Sequence, residues 1–104
     1  MHSAVRAADA FERATYRVAA AQVALDIDGT ALPKTYLAAC RAVERKALAV
    51  FAMLPGLIDD VSSSLTPAEI AGAKSAAAAS TAAGDITDCV AMVRILAPYL
   101  GAAA

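Results

Sequence analysis

The chain has no tryptophan, one histidine and two cysteines, and its aromatic content stops at three tyrosines and two phenylalanines. Each scarcity excludes something. With His2 beside the first residue, no histidine-based triad, proton relay or zinc cluster can be assembled. Cys40 and Cys89 are too few for the disulfide framework of a small secreted domain. They read as small buried hydrophobes, with a Cys40–Cys89 bridge between helices as the alternative. Five glycines form no phosphate-cradling loop. Neither sign of charge dominates: nine Lys and Arg against ten Asp and Glu leave a net charge of −1, which does not mark the whole chain as nucleic-acid-binding. The uncharged runs Val18–Leu25 and Ala47–Ile58 fall short of the ~20 residues a bilayer span needs. No basic segment leading into a hydrophobic run opens the chain, as a signal peptide would. The expectation is a soluble, cytoplasmic protein with no membrane, metal or cofactor.

What abounds is alanine, at 30 of 104 positions, so that a 60% hydrophobic composition consists largely of methyl groups. Alanine has the highest helix propensity and little volume, which favours closely approaching helices over a bulky core. The expected fold is all-α: one domain, residues 1–104, an antiparallel bundle of four to five helices with frayed ends at 1–2 and 101–104. Charge is unevenly placed. Residues 1–54 carry seven basic and five acidic side chains and residues 55–104 two and five, an asymmetry suited to self-association.

A first helix is expected from Ser3, as N-cap, to about Leu25, with Phe11, Val18 and Leu25 on its buried stripe. Gly29 ends it and Pro33 starts the next. The second helix, Pro33–Leu54, carries the longest clean periodic pattern in the chain. Leu37, Cys40, Ala47, Leu48, Phe51 and Leu54 form its apolar face, flanked by Tyr36, Val43 and Val50. Pro55-Gly56 is expected to end it. Leu57–Leu65 is ambiguous: Leu57, Ile58 and Val61 suit a short helix, and the serines at 62–64 its end. Thr66-Pro67-Ala68-Glu69 spells a capping box with proline at N1. The helix it opens runs to about Ala83, and its only large apolar side chain is Ile70, so it must approach a neighbour closely. Gly84 stops it. Asp85 caps a last helix, with Asp88 in its first turn, and Pro98 bends or ends that helix.

Two motifs carry resemblances. Asp26-Ile27-Asp28-Gly29-Thr30 resembles the DxDGT motif of haloacid dehalogenase-like phosphatases. That would make Asp26 a nucleophile and Asp28 an acid/base beside magnesium, with Lys74 and the Gly84–Asp88 segment as further parts. The same family requires a parallel sheet built from βαβ crossovers of about 30 residues each. This chain has neither the length nor the β-branched runs, so the segment reads as a hinge between helices. The second resemblance spans residues 26–70: Gly29 with Leu32-Pro33, then a long helix to Leu54-Pro55, then Leu65 to Ile70. It is similar to the assembly region of phage terminase small subunits and implies ring or dimer assembly on DNA. The chain departs from that family in lacking an N-terminal helix-turn-helix and in ending on a hydrophobic helix.

No catalytic residue set emerges. The leading expectation is a non-enzymatic interaction module that docks onto a protein partner or onto itself as a homo-oligomer. Its expected self-association residues are Phe51, Leu54, Leu57, Ile58, Val93, Leu96 and Leu100. The alternative is a nucleic-acid-associated assembly protein such as a DNA-packaging small subunit. It would use Arg6, Arg13 and Arg17 on the first helix and Lys34, Arg41 and Arg45 on the second, two rows with the same i, i+7, i+11 spacing. Phosphoryl transfer at Asp26 and Asp28 is the remaining possibility.

Overall fold

The computed structural model describes residues 1–27, 29 and 32–102. It is all-α, and no strand occurs among the described residues. The elements are α1 (Ser3–Ile27), α2 (Pro33–Val61), a 3-10 turn (Ser62–Ser64), α3 (Pro67–Ala83), α4 (Ile86–Leu96) and a short α5 (Tyr99–Ala102). His2, before α1, meets Asp60, near the end of α2, at 2.6 Å. The two long helices therefore run antiparallel, as their short connection implies.

The caps of α3 and α4 form as their residues dictate. The Thr66 hydroxyl accepts from Glu69 N–H at 3.1 Å, and the Glu69 carboxylate accepts from Thr66 N–H at 2.9 Å. Those hydrogen bonds, the backbone one first, hold the Glu69 pKa below its ordinary value. Gly84 takes the left-handed conformation (φ 68°) that ends α3, a region most side chains avoid. Asp85 accepts from Asp88 N–H at 3.0 Å. Ser80 of α3 donates to the Asp88 carboxylate, tying α3 to α4.

Three expectations are corrected. Helix α2 does not stop at Pro55-Gly56 but continues to Val61. Proline in a helix interior costs about 3 kcal/mol and glycine about 1. Beyond that break, Leu57, Ile58 and Val61 are fully buried, each worth about 1.5–3 kcal/mol. Positions 50, 54, 57, 58 and 61 lie on one face, so the stripe stays aligned only if the helix does not end, and burial wins. At the start of the chain, the N-cap position falls not to Ser3 but to His2. The His2 carbonyl accepts from Arg6 N–H and its Nδ1 from Ala4 N–H, both at 3.0 Å. A ring whose Nδ1 accepts carries its proton on Nε2, which makes Nε2–H the donor to Asp60. At the other end, Gly101 and Ala102 belong to α5, while Ala103 and Ala104 lie outside the described residues.

The core lies at one end of the molecule. Ala4, Ala7 and Ala8 of α1, Val50, Leu54, Leu57, Ile58 and Val61 of α2, Ala77 of α3, and Cys89, Val93 and Leu96 of α4 form it. Methyl-sized residues on α1 and α3 let the backbones close in, and α2 and α4 supply the volume. Arg94 of α4 bridges to α1, meeting Asp9 at 2.7 Å and Glu12 at 2.9 Å. These two carboxylates, Glu12 first, raise the Arg94 pKa. Both cysteines are free, Cys89 buried and Cys40 half-buried. Burial foremost pushes the Cys89 thiol up. Helix α3 is fully formed, yet only Ala77 and Ser80 along it are buried. With no large side chain there to fill the space, an open groove of about 370 Å³ remains between α2 and α3, rimmed by Phe51, Pro55, Ile58 and Lys74.

Candidate interaction surface

The molecule measures 55 × 28 × 16 Å, with a radius of gyration of 16.4 Å, against about 13 Å for a compact domain of this size. The elongation has one source. Past Ala14 no residue of α1 is buried, and before Val50 none of α2 is. Over residues 15–27 of α1 and 33–49 of α2, Ala49 is the one described hydrophobic residue that packs against the core. These two stretches form a two-helix arm projecting from the bundle.

A two-helix layer can bury one stripe per helix and no more. In α1 that stripe is Ala14, Val18, Ala21 and Leu25; in α2 it is Tyr36, Cys40, Val43 and Ala47. All are at least partly covered. The remaining apolar side chains of the arm face water. Tyr16 is 75% exposed, Val23 52% and Ile27 82%, on the side of α1 turned away from α2. On α2, Leu37 is 51% exposed and Leu48 66%. Beside Leu37 and Leu48 a shallow groove of about 300 Å³ opens between the helices, lined by Thr15, Val18, Cys40, Val43 and Glu44. Tyr36 lies one turn before Cys40, and a hydrogen bond with that thiol raises the Tyr36 pKa.

Leu37, Glu44 and Leu48 fall within about 40° of one another at 100° per residue, and Arg41 borders them. Further along α2, Phe51, Pro55 and Ile58 lie roughly 40° round the helix from that line, toward the core, and there α3 lies alongside. At the base α3 runs beside this side of α2 with the open groove between them; on the arm no helix lies beside Leu37 and Leu48, which are exposed.

The expected self-association residues do not lie on a free surface. Leu54, Leu57, Ile58 and Val93 are at most 1% exposed and Leu96 is 7% exposed; Phe51 and Leu100 pack against the same core. Their apolar density reflects the core of the chain itself. Leu37 and Leu48 were legible as apolar residues of α2 and were assigned to its buried face. The distinguishing signal is Arg41 and Glu44, which interleave with them on a line that α1 does not reach.

The six expected cations, Arg6, Arg13, Arg17, Lys34, Arg41 and Arg45, are all exposed. The ion pairs among the described residues involve His2, Lys74 and Arg94 instead. Lys34, Arg41 and Arg45 share the side of α2 roughly 130–170° from the stripe that meets α1. Arg6, Arg13 and Arg17 sit roughly 80–120° from the stripe of α1 that meets α2. The rows are aligned within each helix but do not merge into one ridge.

The described residues of the DxDGT reading make separate contacts. Asp26 accepts from the Gln22 amide at 2.8 Å on the last turns of α1. Lys74 pairs with Asp59 at 3.7 Å, and Asp85 and Asp88 are engaged in capping α4. Asp28, with its expected role as acid/base, and Thr30 of the motif lie outside the described residues. Among the described residues, no three His, Cys, Asp or Glu side chains converge as metal ligands.

The helical run Pro33–Ser64 is long and apolar enough, by length and composition alone, to cross a membrane. Of its most apolar 18-residue stretch 28% is buried in the fold, and both a core helix and a signal sequence pass the same test. No protein-family model, curated protein or solved structure matches the chain.

Proposed function

We propose that this chain is a non-enzymatic, cytoplasmic self-association module that assembles through its α1–α2 arm, without cofactor or metal. The observation that carries the proposal is the arm itself. It is two helices deep, projects from a finished core, and holds five large apolar side chains more than half exposed, Tyr16, Val23, Ile27, Leu37 and Leu48. Tyr16, Val23 and Ile27 lie on the outer side of α1 and Leu37 and Leu48 on a separate stripe of α2, and exposed apolar groups of this kind mark interaction sites. Helical hairpins gain most by adding further helices to the layer. Size-exclusion chromatography with light scattering tests the reading. The expected mass at tens of micromolar is a multiple of 10.5 kDa, and a strict monomer refutes it.

The exposed cations favour a second reading, a nucleic-acid-associated assembly protein like the phage terminase small subunits that residues 26–70 resemble. Lys34, Arg41 and Arg45 on one side of α2 would contact successive phosphates, and binding would weaken steeply with salt. A duplex-DNA mobility shift at low salt that disappears in Arg13→Glu/Arg41→Glu supports it. No shift removes it.

A further inference from the structure

The uncovered stripe of α2 reads Leu37, Arg41, Glu44, Leu48, all four exposed. Its spacing is symmetric about the point between Ala42 and Val43: Leu37 and Leu48 are equidistant from that point, and so are Arg41 and Glu44. An antiparallel copy of the same helix laid over it places Leu37 against Leu48 of the second copy and Arg41 against Glu44 of the second copy. Two-fold symmetry repeats both contacts. We propose that the occupant of this face is a second copy of the chain, docked arm to arm and antiparallel, so that two hairpins complete a four-helix bundle. The proposal rests on the self-association reading above and names its surface and geometry.

Three further observations point the same way. Toward the base, α3 runs beside α2 next to Phe51, Pro55 and Ile58, whereas no helix lies beside the Leu37–Leu48 stripe on the arm. That placement also sets direction. With both arm tips at the same end, the two α3 helices would compete for one space, whereas antiparallel copies point each tip toward the partner's α3. The area suffices as well. Sixteen residues of α2 (33–48) span about 24 Å, and two helices side by side about 20 Å. The contact is then roughly 500 Å² per copy, about 1,000 Å² in all, the lower bound for a specific interface. The groove between Thr15, Val18, Cys40, Val43 and Glu44 lies at the centre of this contact, beside the Arg41–Glu44 pairs.

Charge exchange tests the pairing on the full chain. Arg41→Glu and Glu44→Arg are each expected to weaken dimerisation about tenfold, since symmetry counts each change twice. The double variant Arg41→Glu/Glu44→Arg, which restores opposite charges across the axis, is expected to recover it. Leu37→Glu/Leu48→Glu is expected to give a monomer with unchanged helical circular dichroism, because neither side chain belongs to the core. An oligomer that survives Arg41→Glu, Glu44→Arg and Leu37→Glu/Leu48→Glu undiminished overturns this face while leaving self-association standing. A wild-type monomer overturns both.

Discussion

Pro55 gives the most direct test of why α2 is one helix. Its ring removes the N–H that would bond to the Phe51 carbonyl and crowds that carbonyl, yet α2 runs through it. Pro55 is exposed, so replacement by alanine loses little packing. The interior cost of proline relative to alanine is about 3 kcal/mol. Part of that is already relieved by the accommodated backbone, and alanine returns about 0.4–1 kcal/mol of freedom to the unfolded chain. The expected net effect of Pro55→Ala is a stabilisation of about 1–2 kcal/mol. At about 4–8 °C per kcal/mol for a domain of this size, the melting temperature should rise by roughly 5–15 °C. Thermal and urea unfolding followed by far-UV circular dichroism measure it. Pro67 is the internal control, because it occupies the first turn of α3, where no N–H is needed; Pro67→Ala should change little. An unchanged or lowered melting temperature in Pro55→Ala would refute the argument that burial of Leu57, Ile58 and Val61 holds a proline-interrupted helix together.

Other expectations follow from the caps, the bridge and the thiols. Thr66→Ala should destabilise by about 1 kcal/mol through loss of the α3 cap. Glu69 has a folded pKa below its ordinary 4.5, so its contribution is fully present above that pH and fades as pH falls through the lowered value. Glu69→Gln should therefore flatten the acid side of the stability profile, and an unaltered slope counts against the capping box. Arg94→Ala removes the only bridge from α4 to Asp9 and Glu12 among the described residues. With the Arg94 side chain 38% exposed, screening limits the cost to under about 1 kcal/mol, readable in denaturant midpoints. Ellman's reagent should modify Cys40 quickly and Cys89 only on unfolding, because Cys89 is buried and its thiol pKa is raised. Two fast thiols would show that the core opens.

Much of this molecule is decided locally and could be read residue by residue. The capping box at Thr66–Glu69, the left-handed Gly84 and the Asp85 cap depend on neighbours no more than five positions away, and all form as their chemistry requires. Helix type followed from alanine content and spacing. Other features depend on partners distant in sequence. Pro55 looked like an end because its local cost is visible, while the burial that outweighs it comes from α1 and α4. The His2 contact was not legible because Asp60 lies 58 residues away. The same holds for the candidate site. An apolar residue on a helix looks the same in sequence whether a partner helix reaches it or not. Leu54 and Leu57 were as plausible for an interface as Leu37 and Leu48. Only the packing of α3 and α4 over the last half of α2, and their absence over the first half, separates core from surface. Sequence alone thus determined the helices and their caps. Tertiary structure decided which stripe of α2 remains open, because burial is a property of the assembled layers and not of any one segment.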